Sequence, residues 1–371
     1  MNGQQHEQVS PRQKITAGPI DRNYVYRVMT VFGIGTIFLL MIGTIWFAGH
    51  VLLVIFASIL FAVLLNGASN RLTKKMPLPR TLSLIAVLLL IVIVFGLVGY
   101  FLGPQVVEQV DPLISTIPSS LQRLREYLEQ YAWTKEIIQS VPPAGEIISN
   151  LFGMLSQARV VFTGTLGTIA NIAIILFIGI YLAAQPQVYI NGFLKAVPKK
   201  SRRRGKEVFE ELGMTLELWL FGKLVSMVVV GVTTAVGLTL LGVPLAVTLG
   251  VIAGLFEFVP YLGPILAGIP AVLMAFSDGP DTALYTLFLF IGIQTGESYL
   301  LAPLVERRMV SLPPALTISM QVLFAVPFGL LGIALATPLT AVLFVLIAML
   351  YVQDVLDDPV KTPSELHEKS D

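Results

Sequence analysis

The chain has 371 residues, of which 55% are hydrophobic and 13% charged, with a mean hydropathy of +0.80 and a net charge of +1. That composition belongs to an integral membrane protein, since soluble domains carry about 25% charged residues. The near-zero charge gives no field for nucleic acid, the absence of cysteine excludes disulfides and thiol chemistry, and the three histidines (His6, His50, His367) are too scattered to form a metal site.

Residues 1–27 are polar, lack a signal-peptide pattern and read as a cytoplasmic tail. About 20 apolar residues cross a bilayer, so the charge-free gaps can be read as spans. Arg27 to Arg71 encloses 43 uncharged residues, enough for two helices with a turn near Ala48–His50, and Arg80 to Glu108 encloses 27, enough for one. Residues 28–102 thus hold three spans.

Residues 103–159 carry too many charges to cross and form an extramembrane insert. Leu121, Leu124, Leu128 and Tyr131 fall at 3-4-3 spacing, which predicts an amphipathic helix. Ile137, Ile138, Ile147 and Ile148 suggest further pieces. The expectation is a helical cap on the bilayer surface or against a neighbouring subunit.

Residues 160–352 form a membrane core, and 353–371 an acidic cytoplasmic tail. The first core span ends near Gln185-Pro186 and leads to "KAVPKKSRRRGK", Lys195 to Lys206, with seven basic residues and no acid. The Arg71–Arg80 loop carries four. The positive-inside rule places both loops in the cytoplasm, with the termini. The fold class is therefore all-α, a polytopic membrane protein with about eight apolar segments.

Two segments break the helical pattern. "EFVPYLGPILAGIP" sets Glu257, Pro260, Gly263, Pro264 and Pro270 inside an apolar run, and Pro327, Gly329 and Pro338 punctuate a later one. Proline removes an N–H and clashes with the preceding turn. Broken or re-entrant helices are expected near 244–276 and 313–340, with tips at Pro260, Gly263 and Pro264 and at Pro327, Gly329 and Pro338. Non-helical backbone at membrane depth survives only where protein or a water-filled cavity covers it, as at the binding sites of transporters. The alternative is two ordinary helices on a surface turn, with Glu257 at the interface. The two segments also share a weak repeat: Val259-Pro260-Tyr261 against Val326-Pro327-Phe328. Asp278 and Asp281 outside with Arg307 and Arg308 inside would make the pair inverted.

Ionisable groups in apolar runs mark transport pathways by default. Glu257 and Tyr261 at the first tip, and Gln294, Glu297 and Ser298 sharing one helical face, are the candidates for transport or ion coupling. Glu297 has Arg307, Arg308 or Glu257 as prospective partners. Lys223, Ser226 and Thr234 share a face that lines a pathway or packs against a neighbour. No phosphate-binding loop, nucleophile–base set or metal-ligand run occurs, so the chain reads as a non-enzyme without metal or cofactor.

"FEFVPYLGPILAGIPAVLMAF" resembles the hallmark of the autoinducer-2 exporter family, with its I-P-Y-x-G-P core, and "QTGESYLLAPLVERRMVSLPPALTISMQVLFAVPFGLLGIALATPLTAVL" resembles that family's C-terminal block. Val259 stands where isoleucine is usual, and "VERRMVSLPP" where many members have a glycine-containing loop. The matching positions are Glu257, Pro260, Tyr261, Gly263, Pro264, Gln294, Glu297, Pro327, Gly329 and Pro338. The resemblance implies a homo-oligomeric bacterial inner-membrane exporter of small molecules, some members being described instead as sodium/proton antiporters. Its partners would be a small solute or ion and the lipid bilayer, with no nucleic acid. A non-transporting scaffold is the remaining alternative.

Overall fold

The computed structural model describes residues 22–130, 166–301 and 312–358. Residues 1–21 and 359–371 of the tails, Tyr131, the isoleucine pairs of the insert, Arg307 and Arg308 lie outside these residues. The described residues hold helices and no strands. The chain divides into a unit of residues 1–50 and one of 51–371.

Helix α1 is Arg22–Lys75, with Ala48–His50 helical, so no turn forms there. No proline interrupts residues 22–75, and one glycine at Ala48-Gly49-His50 is too weak to stop a helix. In the larger unit, α2 is Arg80–Glu129, α3 Leu166–Ala184 and α4 Pro186–Ala196. The helix break falls at Gln185, where Pro186 opens the next helix and the pair bends by 84°. Helix α5 is Arg202–Leu240, α6 Ala246–Phe256, α7 Leu262–Phe276, α8 Pro280–Gly296 and α9 Pro314–Leu346. A π-helix, Glu297–Leu301, continues α8, and another, Ile347–Gln353, continues α9.

Among the described residues, four helical stretches are long and apolar enough to cross a membrane: Ala48–Lys75, Arg80–Gln105, Lys199–Leu240 and Pro314–Gln353. The bent α3–α4 pair makes a fifth if counted as one span. Their outer faces are strongly apolar, with Leu90, Phe95, Phe101 and Phe177 each more than half exposed. Such a surface is at home in lipid rather than water.

The organising element is α5. It ends in a Schellman motif, with Val243 N–H bonded to Leu238 O, Gly242 N–H to Thr239 O, and Gly242 at φ +74. The chain then turns back and α6 packs antiparallel on α5 through glycines. A Cβ on Gly254 would stand 2.8 Å from Met227 O, and one on Gly250 2.5 Å from Ala235 Cβ. Gly250-x-x-x-Gly254 is a small-residue helix-packing motif.

Helix α7 returns alongside α6, so 246–276 is a helical hairpin whose arms of 11 and 15 residues rise only about 16 and 22 Å. The second broken segment is also a hairpin. Gly329 has φ 57 and ψ −139, and Gln321 Nε2 lies 3.5 Å from Thr337 Oγ1. Sixteen residues of straight helix would separate that pair by about 24 Å. The arms are thus 314–328 and 330–346. Pro327 precedes the break, whereas Pro338 is buried within the second arm and is not part of the tip.

The cap rests on the core. Ile117 is fully buried in a cluster with Leu249, Met274 and Phe276, flanked by Leu121 and Leu124. Ser120 and Ser277 hydroxyls are 2.9 Å apart, and the Thr248 hydroxyl donates to Gln109. Of the apolar stripe expected on lipid or a neighbouring subunit, Leu121 and Leu124 pack on the open end of the first hairpin.

Candidate functional site

The two hairpins approach the middle of α5 from opposite ends. Along the first, Gly250 meets Ala235, Gly254 meets Met227 and Gly231, and Phe258 stacks edge-on against Trp219 at 5.4 Å. Along the second, Leu335 packs with Leu216 and Leu220, Val345 and Met349 with Val208, and Arg204 bonds to Met349 O and pairs with Asp354. The first tip therefore lies beside Lys223, against the Gln321–Thr337 level of the second hairpin.

The first tip is a strained turn. Tyr261 has φ 64 and ψ −49, and Leu262 N–H bonds to Pro260 O at 2.7 Å. This is a γ-turn of the rare positive-φ kind, costing about 1–3 kcal/mol unless its surroundings enforce it. They do. Gln321 Nε2, from the second hairpin, donates to the same Pro260 carbonyl at 3.0 Å. Gly263 sits so close to Phe256 that a Cβ would collide with its carbonyl oxygen and lie 2.5 Å from its carbonyl carbon. Pro264 falls in the first turn of α7, where its missing N–H costs nothing.

Glu257, at the C-terminus of α6, is 1% exposed. Its Oε1 accepts from Lys223 Nζ at 2.6 Å, with the two side chains 2% and 10% exposed. Interface snorkelling is excluded by that burial. Glu297 lies close enough to Glu257 to act on it as a like charge. Glu297 Oε2 in turn accepts from Gln294 Nε2 at 3.0 Å. The result is a polar chain, Lys223–Glu257–Glu297–Gln294, drawn from α5, the first tip and the end of α8. Glu257 Oε2 meets no donor. Glu297 also opens the π-helix, a departure from α-geometry that recurs at functional sites.

Of the residues picked out from sequence, Lys223, Glu257, Gln294 and Glu297 are brought together, with Pro260, Tyr261 and Gly263 shaping the turn beside them. Ser226 is buried one turn along α5, while Thr234 lies about 16 Å along the helix from Lys223. Ser298 is exposed. Gln321, fully buried with Oε1 unpartnered, was not singled out. Its signal was a lone amide in an apolar run, but sequence alone supplies no partner for it. Among the described residues no acidic or histidine cluster could hold a metal ion.

Comparison with known proteins agrees with this architecture. "Putative transport protein YueF" of Bacillus subtilis (strain 168) is 29% identical over 318 residues, covering 82% of this chain and 84% of that one. "Putative permease PerM" of Escherichia coli (strain K12) is 25% identical over 314 residues, covering 81% and 88%. The family model described as "AI-2E family transporter" matches residues 36–351. This multi-pass membrane protein, built on two broken-helix hairpins that meet over a lysine and two acids, belongs to the AI-2E transporter family.

Proposed function

We propose that the chain is an ion-coupled secondary carrier that exports small polar solutes, of the autoinducer-2 type, across the bacterial inner membrane. The basic loops and both termini lie in the cytoplasm, and the first hairpin re-enters from the opposite side. The observation that carries this reading is the Lys223–Glu257–Glu297 chain, with Glu257 buried, where the first tip meets the second hairpin. With Lys223 bound to Glu257 the tip is clamped to α5. A proton taken up by Glu257 leaves no anion for Lys223, weakening the clamp and letting the tip shift. Proton uptake on one side and release on the other then drives the cycle.

A sodium/proton antiporter is the second reading, favoured by Glu257 Oε2, an acid oxygen without a donor that a sodium ion could occupy in exchange for a proton. Purified protein in liposomes separates the two: sodium flux coupled to an imposed pH gradient supports antiport, and solute counterflow independent of sodium supports export. Glu257→Gln abolishes the pH dependence of either flux while the protein still folds. Unchanged pH-dependent flux in that variant removes the proton role. No flux of any solute or ion through folded protein leaves a scaffold.

A further inference from the structure

Away from the tips, α1 and α5 enclose an open pocket of about 520 Å³, lined by Asn70, Arg71 and Lys74 on one side and Met214, Glu217 and Leu218 on the other. It lies where both helices change character. Helix α1 passes there from its apolar run into Arg71, Lys74 and Lys75, and α5 passes from the charged stretch 202–211 to the apolar stretch 218–222. That change fixes the pocket at the level of lipid headgroups, where polar and apolar surroundings meet.

Charge in the pocket is unevenly satisfied. Arg71 pairs with Glu217 at 3.2 Å and its guanidinium covers the Phe221 ring at 3.5 Å, which holds it in place and neutralises the one acid present. The guanidinium has five donors, more than that contact uses. Gly67 makes room for this arrangement, since a Cβ there would stand 2.7 Å from Glu217 Cγ. Lys74 has no acidic partner within 4 Å among the described residues. Arg80 stands one turn away, donating to Asn66 at 3.2 Å. The pocket thus offers an unneutralised ammonium, guanidinium and amide donors, and an apolar wall from Met214 and Leu218.

We propose that this pocket binds the phosphate of an anionic phospholipid, with Lys74 and Arg71 on the phosphate oxygens and Met214 and Leu218 against the glycerol and upper acyl carbons. Basic pockets between membrane helices recognise acidic headgroups in this way. A free phosphate would use the same donors but leave the apolar wall uncovered.

The test uses the full chain in detergent, with bound lipid counted by native mass spectrometry. The probes are dioctanoyl phosphatidylglycerol, dioctanoyl phosphatidylcholine and inorganic phosphate. Phosphatidylglycerol binds in preference to phosphatidylcholine. Lys74→Ala weakens it by about tenfold, the loss of one charge-assisted hydrogen bond, and Lys74→Glu weakens it further. Lys199→Ala, a basic-loop control outside the pocket, leaves it unchanged. Lys74 is exposed at a helix end, so both variants fold, and a circular dichroism spectrum checks this. Equal binding of the two lipids, or wild-type binding by Lys74→Glu, overturns the proposal. So does displacement of phosphatidylglycerol by millimolar inorganic phosphate, which would make this a site for the soluble anion.

Discussion

Replacing Lys223 by methionine removes one half of a buried pair and leaves the other. At 2.6 Å and an effective dielectric of about 20, the attraction lost is roughly 6 kcal/mol. Much of it is offset by the several kcal/mol each ion gave up on leaving water. Stranding one partner of a buried pair therefore costs about 3–5 kcal/mol. The protein has an escape, since Glu257 can take up a proton. For a carboxyl that titrates near 4.3 in water, this costs about 3.7 kcal/mol at pH 7 and about 1 kcal/mol at pH 5. Lys223→Met is thus destabilised by about 3–4 kcal/mol at pH 7, and the deficit shrinks as the pH falls towards 5. Lys223→Met/Glu257→Gln recovers most of the loss at pH 7, because the buried ion pair is replaced by two neutral side chains. The assay is thermal unfolding of wild type and variants side by side in one detergent at both pH values. Equal melting of wild type and Lys223→Met at pH 7, or a double variant no better than the single one, would refute the buried-pair reasoning.

Three further outcomes follow from the geometry. Gly263→Ala drives a Cβ into the Phe256 backbone and costs about 1–3 kcal/mol or more. Gly268→Ala, whose Cβ would meet the Phe290 ring at an ordinary 3.4 Å, is neutral or gains up to about 1 kcal/mol of helix propensity; reversal of that order in thermal melts contradicts the tight turn. Gln321→Leu removes the bond between the hairpins but also an unpartnered buried oxygen, so its stability falls by only about 1 kcal/mol. Faster proteolytic nicking at residues 257–263 would be the sign that the tip has lost its restraint. Ser120→Cys/Ser277→Cys, introduced into a chain without native cysteine, forms an intramolecular disulfide on mild oxidation. A reduced product by peptide mass mapping would mean that the cap does not sit on the first hairpin.

Several particulars of the fold were written locally. The break at Gln185 comes from Pro186. The end of α5 comes from Gly242, and the two hairpin bends come from Pro260 with Gly263 and from Gly329. In each case a residue that cannot hold helical backbone, or readily leaves it, stands in a run that otherwise would. The expected turn at Ala48–His50 failed for the converse reason: a lone glycine without a proline beside it weakens a helix without ending it. The cap was legible as an amphipathic helix but not in its docking, because periodicity reports that a face is apolar and not what covers it.

The sequence by itself therefore determined that the chain lives in a membrane, that its helices break at Gln185-Pro186, around Pro260 and near Pro327-Gly329, and which acids lie in apolar surroundings. These follow from apolar length, backbone chemistry and the cost of burying charge, all of which act over a few residues. Only the tertiary structure decided that Glu257 pairs with Lys223, 34 residues away, and that Gln321 reaches Pro260 across 61. A charge in lipid needs a partner, but which partner it finds depends on how α5 and the two hairpins pack.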